Sequence, residues 1–211
     1  MIDPVAGVGA PFFLDPAAVF SYGAGMKPKS WPRLSSRLDH SFRIFNLRMD
    51  RSVSPRTGEA HDFVVLESTP WVNVIALTDR EEVVLIQQYR HGIQEVTLEI
   101  PGGLVEDGDG PPAAAKRELM EETGYRSEEW IDLGYVHPNP AIHDNRCHTY
   151  LALGAKSDGA QSLDDKEDIA VVLRPLAEIP RLIREGAITH SLVICAFWRF
   201  FMEYRPGARR I

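Results

Sequence analysis

The distribution of apolar residues predicts a chain built mainly from short β-strands. Apolar or alternating runs recur between positions 42 and 173, and they lack the 3.6-residue spacing of an amphipathic helix. Glycine, proline and polar clusters separate the runs and are typical of turns. The predicted strands cover residues 42–49, 63–66, 71–77, 83–86, 96–100, 130–136, 147–153 and 169–173.

One helix is predicted in the middle of the chain, after a glycine-rich loop. Residues 113–122 are mostly good helix formers. Asp109 or Gly110 can cap this helix, and the two prolines that follow suit a first turn, where no amide donor is needed. Gly124 is placed to end the helix in a left-handed conformation.

Two more helices are predicted after the last strand. They cover residues 177–185 and 191–204 and are separated by Gly186. The second is strongly apolar, so we expect it to be buried. Strands, one helix, more strands and then helices predict an α/β fold with a mixed sheet.

The N-terminal part divides differently from the rest. Residues 1–40 are rich in proline and glycine with scattered aromatics, which favours an irregular arm on the domain or on a partner subunit. The next two strands, joined by a Pro-Arg-Thr-Gly turn, predict a β-hairpin over residues 41–68. Residues 69–206 form the remaining predicted unit.

Composition narrows the classes of function. The net charge of −7 argues against a broad nucleic-acid surface, which needs clustered basic residues. The two cysteines, Cys147 and Cys195, match no metal or redox spacing, and sparse cysteine fits a reducing compartment. No apolar run reaches membrane-spanning length, and the N-terminus lacks a basic leader region. We therefore expect a cytoplasmic protein without a nucleic-acid or membrane partner.

Three carboxylates crowd one face of the central helix. With about 100° per residue, Glu121 and Glu122 flank Glu118 on either side. Like charges four residues apart destabilise a bare helix by a few tenths of a kcal/mol. Such a run is often a solvated helix face, but a hard divalent cation would also resolve the repulsion. The residues around it favour the cation.

The spacing of the surrounding residues resembles the Nudix box. That motif reads Gly-x5-Glu-x7-Arg-Glu-U-x-Glu-Glu-x-Gly-U, where U is a bulky apolar residue. Asp109 stands at the first glutamate, and Tyr125 is aromatic where the motif is usually aliphatic. The matching positions are Gly103, Asp109, Arg117, Glu118, Leu119, Glu121, Glu122, Gly124 and Tyr125.

The resemblance implies a fold, a reaction and a metal site. The implied fold is a mixed β-sheet sandwiched between helices, with an N-terminal β-strand extension. The implied reaction is hydrolysis of a nucleoside diphosphate joined to another group, with Mg²⁺ as the cofactor and Mn²⁺ as the alternative metal. The implied metal ligands are Glu118, Glu122 and the Gly102 carbonyl, with Glu121 as a further ligand or water orienter.

Arginine at the box has an implied bracing role. Arg117 would orient the carboxylates and pair with Asp109, which is one methylene shorter than the family's glutamate. We expect weaker local bracing rather than lost chemistry. A plain ion pair on the helix surface is compatible with the same role.

The implied general base lies outside the box. Motifs around it resemble the ADP-ribose and nucleoside diphosphate sugar pyrophosphatase branch, in which the base is carried by an acidic loop before a late strand. That loop is residues 164–168 here, with Glu167 favoured and Asp165 second. A solvated charge run is the competing interpretation for either residue.

The same branch implies a set of substrate-binding residues. Arg90 and Glu99 follow strands that lead into the box loop, so Arg90 would face a phosphate or a sugar. A structural ion pair is the alternative for Arg90, and a supporting role at the metal is the alternative for Glu99. A later loop, which follows the box, would set substrate choice through His143, Asn145 and Arg146.

The predicted function is pyrophosphate hydrolysis of ADP-ribose or a nucleotide sugar, giving a nucleoside monophosphate and a sugar phosphate. Dinucleotides such as NADH or dinucleotide polyphosphates are the alternative substrates. An inactive domain that senses a ligand is the alternative class, although the intact carboxylates argue against it. The branch also implies a homodimer with N-terminal strands at its interface.

Overall fold

A computed structural model of the protein describes residues 27–204. Twelve strands and three α-helices follow one another along this part of the chain. The strands are β1 Arg33–Ser41, β2 Asn46–Val53, β3 Ala60–Glu67, β4 Trp71–Leu77, β5 Glu82–Arg90, β6 Glu95–Glu99, β7 Gly102–Leu104, β8 Tyr125–Arg126, β9 Glu129–Val136, β10 Cys147–Leu153, β11 Lys156–Ser157 and β12 Ile169–Pro175. The helices are α1 Pro111–Thr123, α2 Ile179–Arg184 and α3 Ser191–Glu203.

A seven-stranded mixed sheet forms the centre of the molecule. Its strand order is β12-β5-β4-β10-β9, with β6 paired to β5 and β7 paired to β4. β4 and β10 run parallel, and the other pairs are antiparallel. Because β4 is buried on both faces, its near-continuous apolar sequence is expected of a central strand.

Helices cover both faces of this sheet. Leu119 of α1 packs with Val72 and Val74 of β4 in one apolar cluster. On the other face, α2 and α3 pack with Ile75 and Leu85 in a second cluster. The predicted mixed sheet sandwiched between helices is confirmed.

The box helix begins and ends as its sequence predicts. Gly110 occupies the N-cap position in an extended conformation, and the two prolines form the first turn. Gly124 ends the helix with φ of 69°, and its amide donates to the Met120 carbonyl. A left-handed glycine at this position costs no Cβ strain.

The N-terminal extension is a three-stranded antiparallel sheet, in which β2 and β3 form a hairpin and β1 pairs with the other edge of β2. β1, β2 and β3 pair in that order and stand apart from the central sheet. The predicted irregular arm is therefore wrong for residues 33–40, which form most of β1, while residues 1–26 lie outside the described residues. The first hairpin strand begins at Asn46 instead of position 42, because residues 42–45 turn between β1 and β2.

The C-terminal helices differ slightly from their predicted bounds. The segment predicted as one helix over residues 177–185 begins with a 3-10 turn at Leu176–Glu178 and continues as α2. Pro180 lies in the first turn of α2, where a missing amide hydrogen does no harm. Over residues 27–204, none of the helices has the length and apolar character needed to span a membrane.

Candidate active site

Two box carboxylates point into the protein against the loop that precedes α1. Glu118 is 9% exposed and Glu122 is 4% exposed. The Gly102 amide donates to Glu122 Oε2 at 2.8 Å. A Cβ on Gly103 would collide with the Glu118 carboxylate, so glycine at this position lets the loop approach the helix.

Burial makes the charged form of both carboxyl groups costly. It raises the pKa of Glu118 to about 7 and the pKa of Glu122 to about 8, from an ordinary value of 4.5. The Arg117 guanidinium opposes the rise at Glu118, and the Gly102 amide opposes it at Glu122. The negative charge of Glu167 adds to the rise at both, which places Glu167 within electrostatic reach of the pair.

Arg117 braces the box from the outer side of α1. Its Nη1 donates to Glu118 Oε1 at 3.0 Å and to Glu121 Oε2 at 2.9 Å, and its Nη2 donates to the Leu104 carbonyl. Glu121 is 41% exposed at its side chain, so it lies at the edge of the buried pair and not within it. The predicted ion pair with Asp109 is present, with 3.5 Å between Arg117 Nε and Asp109 Oδ2.

Arg90 and Glu99 form a two-bond ion pair beside the box carboxylates. Arg90 Nε donates to Glu99 Oε1 at 2.7 Å, and Nη2 donates to Oε2 at 2.6 Å. Thr97 Oγ1 also donates to Glu99 Oε1. The Arg90 charge lowers the pKa of Glu122 against the larger effect of burial.

The acidic loop holds the Glu167 carboxylate in a turn of its own backbone. The Asp164 amide donates to Glu167 Oε2 at 3.0 Å, which closes a tight turn around the carboxylate. The negative charge of Glu167 contributes to the raised pKa of Glu118 and of Glu122. Asp165 is exposed and, among the described residues, makes no ion pair with the box.

The loop after β9 attaches to the N-terminal sheet. Its backbone pairs with β3, since the Leu66 amide donates to the Ile142 carbonyl at 2.7 Å. His143 packs edge-on against Trp71 with ring centroids 5.8 Å apart. Asn145 is buried and donates to the Thr69 carbonyl at 3.0 Å.

Three neighbouring polar side chains of this loop are Arg146, His143 and Asn145. Arg146 lies over the Tyr135 ring, with 4.4 Å from its guanidinium carbon to the ring centroid. His143 Nδ1 and Asn145 Oδ1 are buried and have no hydrogen-bond partner within residues 27–204. Buried polar atoms without partners are uncommon, and a bound ligand is one way to satisfy them.

A cavity of about 580 Å³ lies between the N-terminal sheet and the box loop. The turn between β1 and β2 forms one wall, and residues 104–107 form the other. Thr69, whose carbonyl holds Asn145, also lines it. The cavity thus adjoins both the box and the loop after β9.

Comparison with known proteins identifies the family of the chain. The NUDIX domain model matches residues 68–197, which is more than half of the chain. The chain belongs to the Nudix family. Members of this family are hydrolases that generally use divalent metal ions, so the protein is a Nudix hydrolase.

Several curated Nudix relatives cover most of the chain. A methanol dehydrogenase activator of Bacillus methanolicus is 32% identical over 74% of this chain and 84% of its own length. An ADP-ribose pyrophosphatase of Mycobacterium tuberculosis is 31% identical over 80% of this chain and 82% of its own length. A crystal structure of an ADP compounds hydrolase shares the fold, with a TM-score of 0.74 at 18% identity over 84% of this chain and 96% of that one.

The site has the donor chemistry that a divalent cation requires. Glu118 and Glu122 are buried acids, and Arg117 contacts only the first of them. Hard cations bind carboxylate oxygens and would remove the electrostatic cost of their charge. Within residues 27–204 no three His, Cys, Asp or Glu side chains lie at metal-binding spacing, so backbone or water oxygens would complete the shell.

Sequence reasoning missed three groups around this site. Thr97 supports Glu99 from the same face of β6, and the two-residue spacing was an available signal. His190 precedes α3. Burial lowers the pKa of this histidine most, and the charges of Glu99 and Arg90 make smaller contributions that raise and lower it respectively. Gln161 lies shortly before the acidic loop and donates to the Glu122 carbonyl of α1, and no motif marks it.

The shortened acidic residue at position 109 leads to one prediction. Arg117 Nε is buried and has no hydrogen-bond partner in the described part of the chain, because Asp109 stops 3.5 Å away. Asp109→Glu should supply that bond and stabilise the protein by about 0.5–1 kcal/mol. Urea unfolding measures the gain, and Asp107→Glu at an exposed neighbour is the control. Lower stability of Asp109→Glu than of wild type would contradict this account.

The raised pKa values give a second prediction, for protein treated with a chelator. Between the ordinary carboxyl pKa of 4.5 and the folded value of about 8, folded protein keeps a proton on Glu122 that unfolded protein has released. The carboxyl group of Glu122 should therefore lower the free energy of unfolding progressively as pH rises through this window.

Comparison with Glu122→Gln isolates that contribution, because glutamine does not titrate. The stability of wild type relative to Glu122→Gln should fall from pH 5 to pH 8.5 in urea unfolding with EDTA present. Glu128→Gln, at an exposed position, should keep the wild-type profile. A relative stability that is flat or rises with pH would refute the buried, high-pKa carboxyl.

Proposed function

We propose that this protein hydrolyses the pyrophosphate bond of ADP-ribose or a nucleotide sugar with Mg²⁺, giving a nucleoside monophosphate and a sugar phosphate. The observation that carries the proposal is the buried pair of Glu118 and Glu122 against Gly102. Identity of 31% to an ADP-ribose pyrophosphatase over four fifths of the chain supports the substrate class. Mn²⁺ is the alternative metal.

In this proposal Glu118, Glu122 and the Gly102 carbonyl would hold the metal, with Glu121 as a further ligand or as the group that orients water. A bound divalent cation supplies charge neutralisation on the phosphates and a lower pKa for water. Arg117 fixes two of the carboxylates by donating to both, which limits their rotamers before the metal arrives. Positions set in advance in this way reduce the cost of reorganisation during the reaction.

Arg90 is proposed to bind a substrate phosphate while it holds Glu99. The ion pair uses its Nε and Nη2, and within residues 27–204 its Nη1 makes no hydrogen bond. Arg90 is 41% exposed at its side chain, whereas Glu99 is 2% exposed. The structural and substrate roles are therefore compatible, since Glu99 orients the guanidinium and leaves one nitrogen for an anion.

Glu167 is proposed as the general base and Asp165 as its weaker alternative. A base must accept a proton at the site, and a carboxylate that already holds a metal is a poor acceptor. The charge of Glu167 raises the pKa of Glu118 and Glu122, but Glu167 lies on a loop outside the box helix. It would therefore act on a water molecule between them.

The loop after β9 is proposed to select the rest of the substrate. The unpartnered polar atoms of His143 and Asn145 belong to this loop, as does the Arg146 guanidinium, and Asn145 donates to the carbonyl of Thr69, which lines the 580 Å³ cavity. A cavity of this volume is within the ordinary range for a nucleotide-sized ligand.

A substrate screen tests the proposal directly. Purified protein would be incubated with ADP-ribose, nucleotide sugars, NADH and dinucleotide polyphosphates, with Mg²⁺ or Mn²⁺. Released monophosphates would be read as inorganic phosphate after phosphatase treatment. We expect the highest kcat/KM on ADP-ribose or a nucleotide sugar, and no turnover after chelation.

The same screen separates the alternatives. Higher kcat/KM on NADH or a dinucleotide polyphosphate would replace the proposed substrate class while keeping the metal site. No turnover of any compound, with ligand binding retained in calorimetry, would instead identify a sensor domain.

The three-stranded sheet is proposed as the contact of a homodimer. It exposes an unusual number of large apolar side chains, and such surfaces mark association sites. Those with exposures from 42% to 62% are Leu34, Leu38, Phe42, Ile44, Phe63 and Val64.

Light scattering should therefore give twice the 23.7 kDa of one chain at micromolar concentration. Leu38→Asp should shift the protein to the monomer mass, because a charge would be buried at the contact. Met202→Asp, at an exposed apolar position of α3, should leave the dimer unchanged. A wild-type protein that elutes as a monomer would sink this assignment.

A further inference from the structure

A segment that leads into the acidic loop, residues 158–162, caps the C-terminal end of the box helix. The last turn of a helix leaves carbonyl groups without partners inside the helix. Here the Asp158 amide donates to the Gly124 carbonyl at 2.8 Å, and the Ser162 amide donates to the Glu121 carbonyl at 2.8 Å. The Gln161 side chain donates to the Glu122 carbonyl at 2.6 Å. The segment is therefore bonded to the residues that carry the site carboxylates.

One amide group of this segment joins two elements of the fold. Gln161 Nε2 donates both to the Glu122 carbonyl and, at 3.0 Å, to the carbonyl of Ile169. An amide nitrogen carries two hydrogens, so both bonds can form together. Ile169 is the first residue of β12, which pairs with Gln88 of the central sheet. The side chain thus ties the end of α1 to the beginning of β12.

The loop between these two attachments carries the proposed base. Residues 162–168 leave the Gln161 backbone and return to Ile169, which the Gln161 side chain holds. Glu167 lies two residues before Ile169. Any change in the separation between α1 and β12 would therefore move Glu167 relative to Glu118 and Glu122.

Backbone packing fixes the first end of this loop without help from Gln161. A Cβ on Gly124 would collide with the Gly159 carbonyl, and a Cβ on Gly159 would lie 3.2 Å from Met120 Cε. The second end is fixed by Ile169, which is buried and pairs with Gln88 in the central sheet. The loss of the Gln161 side chain should therefore loosen residues 162–168 between the two ends, while α1 and β12 stay in place.

We propose that Gln161 is a positioning residue, whose side-chain amide sets the distance between Glu167 and the box carboxylates. It touches neither substrate nor metal and acts through the two backbone carbonyls that it bridges. The proposal rests on the proposed hydrolase function and on Glu167 as its base. It concerns how the loop is held, which can be measured without turnover.

The kinetic test uses Gln161→Leu, which removes the side-chain donors. We expect kcat to fall about tenfold with KM within about twofold, because a small displacement of a catalytic group affects chemistry more than binding. Gln87→Leu is the matched control, since Gln87 is exposed on β5 and alternates to the face opposite Arg90. It should keep wild-type kcat.

A double-mutant cycle distinguishes positioning from general damage. If Gln161 acts through Glu167, adding Gln161→Leu to Glu167→Gln should lower kcat by less than about twofold further. An undiminished additional loss in that background would overturn the proposal, as would wild-type kcat in Gln161→Leu alone.

Hydrogen exchange gives a readout that does not depend on activity. Amides of residues 162–168 should exchange faster in Gln161→Leu than in wild type, whereas amides of α1 should keep their rates. Unchanged exchange in the loop would overturn the inference even in an active enzyme. A wild-type protein without turnover would refute the proposed function, and the exchange rates would still decide whether Gln161 holds the loop.

Discussion

Glu122→Gln should lower kcat/KM by about three orders of magnitude or more while the protein stays folded. Glutamine keeps the shape of the side chain but removes the charge of the more buried carboxylate. A loss of that size corresponds to about 4 kcal/mol of transition-state stabilisation, which is typical for groups that control charge at a phosphoryl site. The measurement is steady-state hydrolysis of the best substrate from the screen, with Mg²⁺ affinity from calorimetry.

Glu118→Gln should behave similarly, since both carboxylates face the same loop. It should also weaken the hold of Arg117 on the box, because Glu118 Oε1 accepts from Arg117 Nη1. Glu128→Gln, on an exposed position before β9, is the control and should keep wild-type kinetics. A folded Glu122→Gln enzyme with near wild-type kcat/KM and unchanged Mg²⁺ affinity would show that the metal site is elsewhere.

The box was predictable from sequence because its determinants are local. Helix capping by Gly110 and Gly124 depends on residues within a few positions of each other. The inward direction of Glu118 and Glu122 follows from their spacing by four residues on one helix. The same geometry explains why Glu121, one position away from Glu122, lies at the partly exposed edge with Arg117.

The central sheet was predictable for a different reason. β4, residues 83–86 of β5 and most of β10 are buried, so the sequences of these parts are largely apolar. β1 carries no such signal, because all nine of its residues are exposed and it is held by backbone pairing with β2. A strand without a buried face leaves no apolar alternation to recognise, so sequence reasoning placed this segment in an irregular arm.

Contacts between distant parts of the chain were beyond the sequence pattern. Gln161 and Glu122 are far apart in sequence, and Asn145 reaches the Thr69 carbonyl across 76 positions. Such contacts depend on strand order and register, which apolar spacing does not determine. Arg90 and Glu99 are an intermediate case. The β5–β6 register puts them on one face of the hairpin, but Arg90 is opposite Glu95 and Glu99 is opposite Ile86, so the long arginine side chain makes the contact.

Glu167→Gln should lower kcat roughly a hundredfold or more while KM and Mg²⁺ affinity stay close to wild type. The carboxylate lies within electrostatic reach of Glu118 and Glu122 but belongs to another loop. Removing its basicity should therefore affect proton transfer and leave the metal ligands in place. The glutamine can still accept the bond from the Asp164 amide, so the turn that holds it should persist.

Asp165→Asn is the matched control, since it makes the same chemical change two residues away in the same acidic loop. Among the main causes of the raised pKa of Glu118 and Glu122, Glu167 is present and Asp165 is not, so kcat should fall much less. Measuring kcat across pH separates the two roles, because a general base is inactive when protonated and therefore produces the acidic limb of the profile. The Glu167→Gln profile should lose that limb, and the Asp165→Asn profile should keep it. If Glu167→Gln retains both the limb and near wild-type kcat, another residue takes the proton, and the loop then serves only to close the site.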